Sequence, residues 1–92
     1  MAFSSTLIKS GVCGDMVYQI YSWAAGGDAN GTIVTGTDLV YSAPAENDEA
    51  NAECPQVQVN TDGSGAADGS VLLTFTDATN NTGRITIFCR NL

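Results

Sequence analysis

Apolar side chains recur at every second position over short runs of this chain, and clusters of Gly, Asn, Asp and Ser separate the runs. That alternation is the signature of β-strands bounded by turns. Met16 to Trp23 is the first clear strand, with Met16, Tyr18 and Ile20 on one face and Val17, Tyr21 and Trp23 on the other. Both faces are partly apolar, which predicts a strand lying between two layers. Thr32 to Thr35 and Leu39 to Ala43 read as two further short strands. Gln56 to Thr61 alternates, with Val57 and Val59 inward and Gln56, Gln58 and Asn60 outward. Val71 to Thr76 sets Val71, Leu73 and Phe75 on one face. Arg84 to Arg90 sets Ile85, Ile87 and Cys89 inward and Thr86 outward between the two arginines. Asn80-Asn81 and Gly83 fit a hairpin turn joining these last two strands.

No window places apolar residues at i, i+3, i+4 and i+7 over three turns, so helix is a minor state. Two segments read as loops: Pro44 to Glu53, which carries four acidic residues and no large apolar one, and the Gly/Ser/Ala-rich Asp62 to Gly69. Turns every 8–12 residues predict an all-β domain, a small antiparallel β-sandwich or β-barrel of about six short strands. Residues 1–10 form an extended N-terminal arm or a first strand, and residues 11–92 a single β-domain. With 92 residues the chain is one domain at most. A core this small gains from a partner subunit.

Charge removes several partners. Lys9, Arg84 and Arg90 are the only basic residues against ten acidic ones, for a formal net charge of −7. Phosphate backbones and anionic lipid surfaces are gripped by clustered cations, so neither nucleic acid nor membrane is the expected partner. The opening residues lack an unbroken apolar core of the secretory kind, and no stretch reaches the ~20 apolar residues of a membrane-spanning helix. The expected site of synthesis is the cytoplasm.

Site chemistry is sparse. The chain has no His, which removes the commonest general base. No serine is positioned by Lys9. Asp15, Asp28, Asp38, Asp62, Asp68 and Asp77 all sit at predicted turns, where a short carboxylate bonds the local backbone. Asp62 and Asp68 leave a weak calcium site open, though neither segment has the alternating ligands of an EF-hand loop. Cys13, Cys54 and Cys89 form no CxxC pair, and reduced thiols are expected, with a Cys13–Cys54 bridge as the alternative. The expectation is no enzyme, no cofactor and no metal. What remains is surface. Tyr21 and Trp23 are either core or an interface, since aromatics serve both uses. Phe3, Leu7 and Ile8 either fold back onto the sheet or reach a neighbour.

The opening Met1-Ala2-Phe3-Ser4-Ser5-Thr6, then Lys9, Gly14, the aromatic strand Met16 to Trp23 and the turn Gly26-Gly27-Asp28 resemble a family of small tailed-bacteriophage virion proteins. Pro55 to Asn60, Gly69 to Phe75 and Ile85 to Arg90 match the second half of that pattern. The chain departs from it in a less basic opening and in the acidic Pro44 to Glu53 segment. The resemblance implies a capsid decoration (cement) protein, bound to the major capsid protein on the outside of a phage head. A homo-oligomer, a trimer by the symmetry of such shells, is then expected. A receptor- or glycan-binding module on a tail or head fibre, stacking sugars on Trp23, Tyr21 and Tyr41, is the alternative.

Overall fold

The computed structural model describes residues 3–48, 53–76, 79 and 81–91. Asp77 and part of the Ala78 to Gly83 turn lie outside them. Eight strands follow in order: β1 (Ser4–Cys13), β2 (Met16–Ala24), β3 (Asn30–Val34), β4 (Leu39–Ser42), β5 (Ala45–Asn47), β6 (Gln56–Thr61), β7 (Ala66–Thr74) and β8 (Thr82–Arg90). They form two antiparallel sheets. The larger runs β1-β2-β8-β4, with β5 end to end with β4 along the same edge of β8; the smaller runs β3-β7-β6. Of the sandwich or barrel expected from the alternation, the observed all-β fold has two antiparallel sheets and is the sandwich.

The core lies between the sheets. Ile85, Ile87 and Cys89 of β8 face Val71 and Leu73 of β7, with Ile33, Val40, Trp23 and Phe75 around them, all buried. These are the positions that the period-two pattern points inward. β1 and β2 are joined by Gly14 and Asp15 alone. Gly14 has φ +64° at the first loop position, the mark of a type II′ turn, whose twist matches that of the flanking strands.

The structure differs from the alternation in five places. First, two strands are added to the six: β1 occupies the N-terminal segment, and β5 falls inside the segment expected to be an acidic loop. Backbone pairing explains β5. The free edge of β8 needs partners, and Pro44 O accepts from Thr86 N while Ala45 packs on the core. Second, β7 begins at Ala66, so the Gly-rich loop shrinks to residues 62–65. Third, β7 and β8 form no hairpin. They belong to different sheets, and their strongly apolar faces oppose one another across the core. Fourth, among the described residues only one face of β2 is covered by a second sheet; Met16, Tyr18 and Ile20 on the other face are half-buried. Fifth, Asn60 does not point idly outward. It holds φ +59°, accepts from Val40 N at 2.9 Å and donates to Val40 O at 2.9 Å. One side-chain amide thereby pairs β6 with β4 as a neighbouring strand would.

Candidate functional site

The two sheets differ in width. β1 is the free margin of the larger sheet, and nine of its ten residues are exposed. Leu7 and Val12 stand opposite Tyr21 and Val17, on the side facing the core. Beyond the cover of the smaller sheet, they remain 50% and 78% exposed. Ile8 is the extra residue of a β-bulge between Leu7 and Lys9 and is 52% exposed. A bulge and a lysine are two devices by which edge strands resist pairing with another chain. The hairpin therefore offers its faces more readily than its edge.

The outer face of the larger sheet can be read row by row from the register. Thr6, Ser22, Arg84 and Glu46 make one row. Lys9, Ile20 and Thr86 make the next. Gly11, Tyr18, Phe88 and Ser42 make the third, and Arg90 pairs Leu39 beyond it. Tyr18 lies across the bare backbone of Gly11, so close that a Cβ there would meet the ring at 2.7 Å. Met16, Tyr18, Ile20 and Phe88 thus form a half-buried apolar centre. Lys9, Arg84 and Arg90 surround it, all three exposed. None of them forms an ion pair with a described residue. The sequence held the signal for this face in the outward phase of Met16, Tyr18 and Ile20 and in the arginines flanking Thr86. Phe88 has the same phase.

Of the five residues expected at an interface, Leu7 and Ile8 are on the surface. Phe3 is half-buried, covers Gly31 and lies 5.9 Å from the Phe75 ring. Its backbone N–H donates to Asp28 Oδ2 at 2.7 Å. Asp28 thus binds a residue 25 positions away rather than its own turn. Trp23 is 3% exposed and packs on Phe75 at 5.3 Å, so the folded chain presents no tryptophan surface. Its indole N–H is buried and meets no acceptor among the described residues. Tyr21 is half-buried. Its hydroxyl donates to Gln19 Oε1 at 2.6 Å, and Gln19 Nε2 donates to Thr35 O. Burial, with the nearby Cys89 thiol as a second cause, pushes the Tyr21 phenol above its ordinary range.

Cys13, Cys54 and Cys89 are all free thiols, the first two exposed and the third buried. Asp62 closes its own turn, accepting from Ser64 N at 2.9 Å. Among the described residues no three of His, Cys, Asp and Glu gather into a metal-sized cluster. A shallow depression of about 340 Å³ is lined by Glu46, Asn47, Asp48 and Arg84, at one end of β8. Among the described residues no helix is long and apolar enough to cross a membrane. Comparison with protein-family models, with curated proteins and with solved structures finds no match.

Proposed function

We propose that this chain is a structural virion protein, a decoration protein that docks on the outer surface of a phage head and stabilises the shell. The observation that supports the reading is the β1–β2 hairpin, apolar on both sides, whose β1 strand gathers Leu7, Ile8 and Val12 in water, while Val34, Tyr41 and Val59 are exposed one to a strand elsewhere. A small sandwich that leaves Leu7, Ile8 and Val12 in water gains from a surface that covers them. A partner that binds only the folded form stabilises it by mass action. Many copies on a symmetric shell add avidity, and a closed ring of three suits a threefold position. The major capsid protein is the partner in this reading, and no cofactor, nucleic acid or membrane enters it. The glycan-binding alternative loses its main support, because Trp23 is buried and Tyr21 half-buried; only Tyr41, 46% exposed, stays on the surface.

Deleting the first ten residues would remove most of a strand, so substitution is the cleaner test. Leu7→Ser, Ile8→Ser and Val12→Ser together should leave a folded domain by circular dichroism. Retention on purified capsids should fall at least tenfold. A folded triple variant retained as well as the parent would overturn the reading.

A further inference from the structure

We infer that the outer face of the larger sheet is a docking face for an acidic protein surface, one that sets carboxylates around an apolar centre. The inference rests on the decoration reading only for the name of the partner.

Three observations lead to it. The first is charge placement. The strands of the larger sheet carry Lys9, Arg84 and Arg90, the chain's entire stock of cations, against Glu46 and, just past β5, Asp48, whose carboxylate accepts from the Thr82 hydroxyl. β3 and β6 of the smaller sheet carry no charge, and β7 carries only Asp68. The other acidic residues fall in the connections or outside the described residues. A chain of net charge −7 has thus gathered all its positive charge on one face.

The second observation is what the cations enclose. Lys9, Ile20 and Thr86 share a row, and Arg84 and Arg90 lie two residues before and four residues after Thr86 on β8. At about 3.3 Å per residue the two guanidinium stems stand some 20 Å apart, and Lys9 stands about two strand spacings, roughly 10 Å, to the side. Tyr18, Ile20 and Phe88 lie within or against this triangle. An apolar middle with charges at its margin is the usual anatomy of a protein interface, and Tyr and Arg are its commonest anchors.

The third is extent. Four strands at about 4.8 Å and nine residues at about 3.3 Å give a face of roughly 19 by 30 Å, most of the ~800 Å² per partner of a standard interface. The charges also choose the occupant. A second copy stacked through the same face would oppose six cations with four carboxylates, Glu46 and Asp48 of each copy, and would remain net repulsive. An acidic surface is attracted to the three cations at close range, and at ordinary ionic strength screening limits the repulsion from the chain's remaining acidic residues.

The test uses two immobilised probes: capsids of the virus that encodes the chain, and the acidic aromatic copolymer poly(Glu,Tyr). The parent chain should be held by both at 50 mM NaCl and released at least tenfold by 500 mM. Arg84→Glu with Arg90→Glu, checked for an unchanged melting temperature, should lose at least tenfold at low salt on both. Arg84→Gln with Arg90→Gln should fall between. Capsid binding that neither salt nor the reversal weakens overturns the inference and leaves the decoration reading standing. Copolymer binding lost on reversal, without capsid binding, supports the inference and overturns the decoration reading. Failure on both probes, or self-association of the parent that the reversal abolishes, overturns the inference.

Discussion

Asn60 is the residue whose role the alternation hides. Its place after Val59 reads as one more outward polar position, yet its amide joins β4 to β6 and also accepts from Gly69 N at 3.2 Å. A side chain that turns back through a positive φ leaves no trace in a period-two pattern. Asn60→Ala should cost about 2–4 kcal/mol in urea unfolding, because it orphans backbone groups of Val40 and Gly69 together. Asn60→Gly relaxes the φ but not the orphaned groups, and should rescue little of that loss. Gly69 has φ +85°, and a Cβ there would collide with Thr37 O. Gly69→Ala should therefore destabilise by about 2 kcal/mol or more. Tyr21 gives a pH dependence. Its folded pKa lies above the unfolded value of 10.0, so the folded state holds this proton more tightly. The contribution is complete below pH 10 and is lost as pH rises through the folded pKa. Chemical unfolding from pH 8 to 11 should show that loss, and Tyr21→Phe should flatten it.

At the scale of elements, strands with one apolar face were legible, and their inward residues are the observed core except on β6, an edge strand, where Val57 is half-buried and Val59 stays 37% exposed. Ile85, Ile87 and Cys89 show this for β8; Val71 and Leu73 show it for β7. Elements held mainly by backbone pairing were not. Ala45, Glu46 and Asn47 form β5 because β8 has an edge to satisfy, and nothing in those three side chains announces it. Strand partners were also hidden. β7 and β8 look like a hairpin because they are adjacent in sequence, whereas their apolar faces oppose one another across the core. The candidate site was legible in part: Leu7 and Ile8 were singled out, but Tyr18, Phe88 and the cations around them gain meaning only once β1, β2 and β8 lie side by side. Solvation separates these strands dynamically. β1 is exposed on both faces and paired on one edge, while β8 is buried on one face and paired on both. Amide exchange in Ser4–Cys13 should run well ahead of that in Thr82–Arg90, by at least a hundredfold at the slowest sites. Equal protection would mean that β1 is covered in solution.

Seen whole, the molecule is a thin slab, 37 by 27 by 18 Å, whose wider sheet carries the surface of interest on its outer side. Nothing in the fold separates that surface from the core that supports it, since Tyr18 and Phe88 alternate with Val17, Ile87 and Cys89 on the same two strands. Substitutions on the outer face should for that reason be conservative in shape. Phe88→Leu should change melting by only a few degrees while weakening retention on either probe; melting and retention lost in proportion would assign Phe88 to stability alone.

The strand at the centre of the larger sheet is β8, yet its neighbours β2 and β4 precede it by a long stretch of chain. On the ribosome, β2 must wait unpaired on that side until Thr82 to Arg90 has been made. At about 5–20 residues per second this interval lasts several seconds. The β1–β2 hairpin can close early around Gly14 and Asp15, but the slab cannot. Each nascent chain therefore exposes Ile20, Tyr21 and Trp23 together, and a cell making many copies at once must keep those hairpins apart until β8 arrives to take its place between them and the rest of the sheet.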